Sequence, residues 1–408
     1  MKDKKIAFVV FRYGIDINGG AEYHCRMLAE RLADGYNVEV LTTCIRYLTT
    51  CANEFYPGIE ELNGVTVRRF FALAEAGCNA SDFNNKKIKI ARKLRRRLYR
   101  MGVLKFFPIK YKKYRQLELE LFGNLKANSP ELLNFLSEHK DDYHKIIFLT
   151  YMTPSTILGI NICKEKSILI PTAHNEGMLF YPVMTDVFSF PAHIAFNTVS
   201  EQKLCSNIFN DMAANSIVGV KFNEAEPANF DTVKQKYNIP DNYILYVGRV
   251  EPGKTGKLVE YFLKFKNENS TVKHKLVMTG GIGMSVVNNP NIIYTGYVTE
   301  EEKFCLIKNS AVVVNPSLWE SLSLIVLEAL SMEIPVLVNG GCDVLKEHIK
   351  KSNAGFFYEN YKQFHNSLFK LLDSETLRNQ MGALGKKYVD NNYEWDIIIG
   401  KLRNIIES

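Results

Sequence analysis

Two glutamates eight positions apart, Glu320 and Glu328, lie where the sequence pattern changes from strand to helix. Residues 311–315 form an apolar, β-branched run that ends in Asn-Pro, which predicts a buried parallel strand. We expect Glu320 to open the following turn and Glu328 to lie about two turns into the next helix. Free N–H groups and the helix dipole make such a junction an anion-binding site. Two glutamates with this spacing are common on solvated helices. Their position at a strand-to-helix turn is what indicates a binding site.

A basic pair follows an earlier predicted strand, Tyr243–Val247. Gly248 permits a turn, and Arg249 and Lys254 follow in the loop before a helix that we expect to begin near Thr255. A guanidinium that grips two oxygens and an ammonium that acts as a point charge suit a diphosphate, and each charge-assisted contact contributes about 1.5–3 kcal/mol. The alternative is two surface cations on a loop.

Adjacent glycines, Gly19 and Gly20, occupy the junction between a predicted first strand (residues 6–11) and the first helix. Glycines here allow the backbone to approach a phosphate or sugar, or they allow tight strand–helix packing. The dinucleotide-binding fingerprint is excluded, because the spacing is not G-x-G-x-x-G and no acidic residue closes the second strand.

As a set, the chain resembles the retaining glycosyltransferases of the GT-B fold, family 4 (glycosyl transferases group 1). The matching motifs, spread over nearly the whole chain, are Gly19-Gly20-Ala21-Glu22, Thr172-Ala173-His174-Asn175, Thr198-Val199-Ser200-Glu201, Gly248-Arg249 with Lys254, and Glu320 with Glu328. The resemblance implies an α/β protein with two Rossmann-like domains whose parallel sheets face each other across a cleft. It also implies a C-terminal helix that crosses back to the first domain.

The resemblance also implies a role for each matching residue. Arg249 and Lys254 would hold the diphosphate of a nucleotide-sugar donor, and Glu328 would bind the ribose hydroxyls. Glu320 would contact hydroxyls of the transferred sugar beside its anomeric carbon, and His174 would lie at the reacting centre.

The remaining donor contacts are also implied by the resemblance. Backbone amides around Ser321, Leu322 and Ser323 would line the transferred sugar, Tyr297 would contact the nucleobase, and Gly19 and Gly20 would approach the donor. The family often has glycine where Ser321 and Ser323 stand, and it usually has glycine at the position of Thr255. These departures bear on donor preference and leave the charged groups in place.

The expected reaction moves a hexose with retention from a nucleotide-diphosphate sugar to a glycan or lipid-linked saccharide. The resemblance implies that no cofactor and no metal are needed. The sequence agrees, because the eight histidines and eight cysteines show no C-x-x-C, H-x-H or H-E-x-x-H spacing. A GT-B nucleotide-sugar epimerase or hydrolase and a non-catalytic GT-B partner subunit remain as alternatives.

Length and composition predict two domains, since 408 residues with 46% hydrophobic content can form two cores. Alternating strands and helices predict parallel sheets. We place an acceptor-side domain at residues 1–216, a nucleotide-sugar-binding domain at 217–391 and an amphipathic C-terminal helix at 392–408.

The net charge of +7 is concentrated in one segment, residues 86–115, which has 14 Lys and Arg and no Asp or Glu. The rest of the chain has 37 basic and 44 acidic residues. Ala91, Leu94, Leu98 and Met101 recur at helical spacing and predict an apolar face. The candidate membrane or acceptor residues are Arg92, Lys93, Arg95, Arg96, Arg97, Arg100, Phe106 and Phe107.

A basic amphipathic helix with neighbouring aromatics suits an anionic lipid surface. The alternative is a solvated or acceptor-binding helix. Nucleic acid is not an expected partner, because no recognition module accompanies the charge. With no apolar run long enough to span a membrane, no signal peptide and cysteines without a disulfide pattern, we expect a cytoplasmic protein on the inner face of the membrane. The expected pathway is cell-surface polysaccharide or lipopolysaccharide synthesis.

Overall fold

The chain folds into two compact units in the computed structural model, which describes residues 4–17, 19–79, 86–106 and 112–408. The first unit comprises Met1–Val220 and Ile398–Ser408, and the second comprises Lys221–Ile397. The first boundary therefore follows Val220, where the sequence suggested Ser216.

The described part of the first unit is built on a sheet in the order β3-β4-β2-β1-β5-β6-β7-β8, parallel except for the β3–β4 pair. Its strands are β1 (Lys5–Val9), β2 (Asn37–Thr43), β3 (Gly58–Leu62), β4 (Val65–Phe70), β5 (Lys145–Leu149), β6 (Ser167–Ile170), β7 (His193–Phe196) and β8 (Asn215–Ile217). The central strand β1 is apolar on both faces, as a strand covered by helices on both sides must be.

Helices cover this sheet. They are α1 (Gly20–Leu32), α2 (Lys86–Arg100), α3 (Lys112–Gly123), α4 (Pro130–His139), α5 (Pro154–Cys163), α6 (Met184–Ser189) and α7 (Val199–Ser206). Phe122, Leu136 and Phe148 are among the residues of the main core.

The second unit has a parallel sheet in the order β11-β10-β9-β12-β13-β14. Its strands are β9 (Tyr243–Val247), β10 (Lys275–Thr279), β11 (Ile292–Gly296), β12 (Val313–Asn315), β13 (Val336–Asn339) and β14 (Gly355–Tyr358). Its helices are α8 (Phe230–Tyr237), α9 (Pro252–Thr255), α10 (Leu258–Glu268), α11 (Glu300–Lys308), α12 (Leu324–Ser331), α13 (Asp343–Ser352), α14 (Tyr361–Asp373) and α15 (Glu375–Asn392). The predicted mixed α/β class with two parallel sheets is confirmed.

The last helix, α16 (Trp395–Glu407), begins in the second unit and continues into the first. Near its end Glu407 pairs with Lys4 and accepts a hydrogen bond from the Tyr36 hydroxyl at 2.8 Å. These contacts attach the chain terminus to the strands that open the first unit.

Two predicted positions in the second unit need correction. Helix α12 begins at Leu324, so Glu328 lies little more than one turn into it. Lys254 lies in the short helix α9 and not in an open loop, and the next helix begins only at Leu258. Gly256 separates the two helices with φ +51°, a left-handed conformation that favours glycine.

The predicted apolar face of the α2 segment is confirmed for Ala91 and Leu98, which pack inward, and is wrong for Leu94 and Met101. The buried residues of the helix are Ile88, Ala91 and Arg95, whereas Leu94 and Met101 are exposed. Arg95 therefore does not face a membrane. Only 5% of Arg95 is exposed.

A buried acid lies under the helix. Glu118 of α3 is fully buried and accepts a hydrogen bond from the Val183 N–H at 2.7 Å. Burial lowers the pKa of Arg95 to about 10, and attraction to the Glu118 carboxyl offsets part of this cost of placing a cation on the inner face of α2. Burial raises the pKa of Glu118 to about 7.

Phe106 follows α2 and is 78% exposed, as expected of a surface aromatic, whereas Phe107 lies outside the described residues. Within the described ranges, no helix is long and apolar enough to cross a membrane.

Candidate functional site

The donor-site candidates of the second unit follow the carboxyl ends of neighbouring strands. Tyr297 follows β11, Arg249 and Lys254 follow β9, and Glu320 follows β12. Because these strands are parallel, their carboxyl ends lie on one edge of the sheet, the edge where open α/β sheets bind ligands. The structure thus brings these residues to the same edge.

Lys254 and Glu320 are in direct contact. The lysine Nζ donates to Glu320 Oε1 at 3.0 Å and to the Trp319 carbonyl at 3.4 Å. The two side chains are 32% and 18% exposed, so both charges remain within reach of a ligand. Arg249 pairs with Glu251 at 3.2 Å, and its side chain is 64% exposed. One predicted cation is therefore already attached to the predicted sugar-binding acid, and the other extends into solvent.

Two side chains hydrogen-bond to the predicted sugar-binding loop, Ser321 to Ser323, and one of them, His348, was not recognised from the sequence. Ser323 has φ +72° and accepts a hydrogen bond from Asn315 Nδ2 at 2.9 Å. The buried His348 of α13 donates from Nε2 to the Leu322 carbonyl at 2.6 Å.

His348 is itself fixed by a second contact. Its Nδ1 lies 3.0 Å from the Tyr388 hydroxyl, which is therefore the donor, because Nε2 carries the ring proton. Burial lowers the pKa of His348. The neutral ring holds the loop between β12 and α12 in one conformation.

Glu328 is buried, and its charge is balanced by a lysine. Lys303 of α11 donates from Nζ to Glu328 Oε1 at 2.9 Å and to Glu300 Oε2 at 2.7 Å. Burial raises the pKa of Glu328, and Lys303 acts against this effect. Lys303 follows three glutamates at the start of α11, and nothing in this pattern predicts that it pairs with Glu328.

Tyr297 is 72% exposed and lies across the loop after β10. A Cβ atom on Gly281 would lie 2.5 Å from the Tyr297 hydroxyl oxygen, so the ring lies directly over the Gly281 backbone in this conformation. An exposed aromatic ring at the carboxyl edge can stack on a nucleobase.

In the first unit, His174 follows β6 and belongs to a chain of polar contacts. Its Nε2 lies 3.4 Å from Glu176 Oε1, which accepts a hydrogen bond from the buried Tyr151 hydroxyl at 2.7 Å. Burial opposes ionisation of Glu176, but the contacts with His174 and Tyr151 prevail and its pKa is lowered. Thr172 just before it has φ +50°, a strained conformation for a β-branched residue. Neither Glu176 nor Tyr151 belongs to a motif that the sequence analysis recognised.

The fully buried Glu201 ties the His174 loop to the next strand. Its two carboxyl oxygens accept hydrogen bonds from the backbone N–H groups of Ala173 and Asn197. Burial raises the pKa of Glu201 to about 8, although these N–H groups act in the opposite direction. The Thr-Val-Ser-Glu motif therefore has a positioning role in the loop that carries His174.

The two glycines that precede α1 differ in their surroundings. A Cβ atom on Gly19 would lie 1.9 Å from Glu22 Oε2, because this carboxylate folds back over the loop. Arg12 holds Glu22 there through hydrogen bonds of 2.9 Å and 2.6 Å. A Cβ atom on Gly20 would meet nothing within 4 Å. Packing within the protein therefore explains Gly19 but not Gly20.

We expect Gly20→Ala to fold normally and to weaken binding or turnover of the nucleotide sugar at least about tenfold, because a methyl group would occupy space needed by a ligand. Alanine in the middle of a helix stabilises by about 0.5–1 kcal/mol relative to glycine, and we expect a smaller gain at Gly20, the first residue of α1. Thermal unfolding and donor titration measure the two effects. Gly400→Ala is the matched control, since Gly400 is helical and also has open space around it. Native donor affinity and turnover in Gly20→Ala would remove Gly20 from the site.

All eight cysteines are free thiols. In the part of the chain that the structure describes, no group of three or more His, Cys, Asp or Glu could hold a metal ion. The expectation of a reaction without a metal stays a prediction.

Residues 229–388 match the family model of the Glycosyl transferases group 1. The chain is 24% identical over 243 residues to the capsular polysaccharide biosynthesis glycosyltransferase CapM of Staphylococcus aureus, an alignment that covers 55% of this chain and 62% of CapM. The chain thus spans less than two thirds of the length of CapM.

Solved structures with the same fold cover nearly the whole chain. HepE of Anabaena in complex with UDP and glucose has a TM-score of 0.68 at 12% identity and covers 99% of this chain and 100% of HepE. WaaG, a glycosyltransferase involved in lipopolysaccharide biosynthesis, has a TM-score of 0.62 at 14% identity and covers 98% of this chain and 99% of WaaG. The chain thus has the GT-B fold, and residues 229–388 of its second unit match a glycosyltransferase family.

Proposed function

We propose that the chain is a retaining glycosyltransferase of family 4, which moves a hexose from a nucleotide-diphosphate sugar to a glycan or lipid-linked saccharide. The observation that carries the proposal is the common position of Arg249, Lys254 and Glu320 at the carboxyl edge of the second sheet, with Glu328 one turn into the adjoining helix. This edge belongs to the segment that matches the Glycosyl transferases group 1.

The proposed chemistry follows from charge. Cleavage of the bond between sugar and diphosphate places negative charge on the leaving diphosphate and positive charge on the anomeric carbon. Arg249 and Lys254 would stabilise the diphosphate as fixed cations. Glu320 would orient the sugar and lies 3.0 Å from Lys254, so sugar and diphosphate would be held by two residues in mutual contact.

Retention is tested without knowing the acceptor. The first donor to try is UDP-α-glucose, because the similar HepE structure holds UDP and glucose; GDP and ADP sugars follow. A binding screen selects the donor, and proton NMR then follows the anomer of any sugar released by slow hydrolysis. Release of the α anomer before mutarotation supports retention, whereas release of the β anomer means inversion. Failure of all nucleotide sugars to bind contradicts the proposed function.

We also propose that the enzyme works at the inner face of the cytoplasmic membrane, in cell-surface polysaccharide or lipopolysaccharide synthesis. The support is the outer face of α2 with the residue that follows it. Ile90 and Leu94 of the helix and the adjoining Met101 are exposed, with Lys93, Arg97 and Arg100 exposed beside them. Exposed apolar side chains among cations match an anionic lipid surface.

Vesicle binding tests this proposal. Each cation near an anionic surface contributes up to about 1 kcal/mol, so replacing Lys93, Arg97 and Arg100 by glutamine is expected to weaken binding to phosphatidylglycerol vesicles up to about 100-fold. The control replaces three exposed lysines of the second unit, Lys350, Lys362 and Lys370, and keeps the same net charge change. Equal binding of the native protein to neutral and anionic vesicles would exclude docking through charge.

A further inference from the structure

We propose that Lys303 is a positioning residue for the ribose of the donor, because its ammonium keeps the buried Glu328 in the carboxylate form that accepts hydrogen bonds from both ribose hydroxyls. The inference rests on the proposed function, in which Glu328 contacts the ribose.

The geometry makes Lys303 the counter-ion of Glu328. The Nζ–Oε1 distance is 2.9 Å, and the side chains of Lys303 and Glu328 are 13% and 5% exposed. Both residues lie within about the first turn of their helices, α11 and α12. The contact therefore lies near the carboxyl edge that carries Lys254 and Glu320.

The electrostatics explain why Glu328 needs this partner. Desolvation disfavours a buried carboxylate and raises its pKa, and Glu300 adds a repulsive charge. Lys303 of α11 favours the charged form of Glu328. Burial lowers the pKa of Lys303, but attraction to Glu328 and Glu300 outweighs this effect, so the pKa of Lys303 is raised and the lysine stays charged. Without the lysine, Glu328 would face Glu300 alone and would take up a proton at higher pH.

Protonation matters because of what the donor presents. The 2′- and 3′-hydroxyl groups of ribose can both donate, and an ionised carboxylate offers two acceptor oxygens. In a protonated carboxyl one oxygen becomes an O–H donor, so only the other oxygen still accepts a hydrogen bond from the ribose. The affinity for the nucleotide should then fall as pH falls, by up to tenfold for each pH unit below the pKa of Glu328.

The test compares native protein and Lys303→Met between pH 9 and pH 6 by titration with the nucleotide sugar that binds the native protein, whose diphosphate does not change charge in this range. We expect the native affinity to change by no more than about twofold. The ratio of variant to native Kd should rise at least about tenfold as pH falls. Lys303→Arg should restore the native profile. Lys236→Met is the control. Lys236 of α8 pairs at 2.6 Å with Glu302, which lies in α11 as Lys303 does, but the Lys236 side chain is 53% exposed.

Two further arms separate the possible failures. Glu328→Gln should bind weakly at every pH and should make the effect of Lys303→Met disappear in the double variant. A 2′-deoxy nucleotide sugar should lose less affinity than the ribose form when Lys303 is replaced. A ratio that stays constant with pH would overturn the proposal. A native protein that binds no nucleotide sugar would overturn the proposed function and this inference with it.

Discussion

Glu320→Gln is expected to lower the rate of sugar transfer or donor hydrolysis about 100-fold to 1,000-fold while nucleotide binding persists. The substitution keeps the shape of the side chain and removes the charge that would orient the sugar beside its anomeric carbon. The affinity for UDP, or for the diphosphate of whichever donor binds, should stay the same or increase, because Lys254 loses its carboxylate partner at 3.0 Å. Rates from a saturating donor and Kd values from titration provide the measurement.

The control for this prediction is Glu251→Gln. Glu251 pairs with Arg249 at 3.2 Å, so the change removes a carboxylate from the other predicted cation. No role in orienting the sugar is assigned to Glu251, and its variant should retain the native rate within about threefold. A native rate in Glu320→Gln would contradict the assignment of Glu320.

His348→Leu is expected to destabilise the second unit by about 2–4 kcal/mol and to weaken donor binding. The substitution leaves the buried Leu322 carbonyl without its hydrogen bond, which costs about 1–3 kcal/mol, and it disturbs the packing around Tyr388. Both tryptophans of the chain, Trp319 and Trp395, belong to the second unit, so their fluorescence in urea reports its unfolding. His139→Leu on the exposed face of α4 should change the stability by less than about 0.5 kcal/mol.

The same residue predicts a pH dependence. Burial lowers the pKa of His348 in the folded state, whereas the unfolded state has an ordinary value of about 6.5. The unfolded state therefore binds more protons below this pH, and the stabilisation from His348 is complete above about pH 6.5 and is lost as pH falls below it. The destabilisation by His348→Leu should shrink between pH 7.5 and pH 5.5, by up to about 1.4 kcal/mol per pH unit. A destabilisation that does not change over this range would mean that His348 titrates normally.

The strands of the second unit were predicted well because their signal is local. Buried parallel strands are short apolar runs between turn residues. The strand Tyr243–Val247 has the predicted bounds, and the run at residues 311–315 contains the strand Val313–Asn315. The charged candidates Arg249 and Lys254 follow such runs, so the common edge of a parallel sheet could be inferred from order alone.

The partners of these residues could not be inferred, because they come from distant parts of the chain. Lys303 and His348 are separated from Glu328 and Leu322 by 25 and 26 positions, and neither belongs to a recognised motif. Arg95 shows the same limit for a helix face. Periodicity places charged residues outside, but Arg95 lies inside, where attraction to the buried Glu118 of another helix offsets part of the cost of burial.

The central claim is that Arg249 and Lys254 bind a diphosphate. The most direct test compares the affinities for UDP and UMP, or for the diphosphate and monophosphate of another nucleoside if that nucleoside is the one that binds. Two charge-assisted contacts predict that the native protein binds the diphosphate more than about 100-fold more tightly than the monophosphate. The double variant Arg249→Met/Lys254→Met should lose this preference, and Lys257→Met nearby should keep it. A double variant that still prefers the diphosphate as the native protein does would contradict the claim.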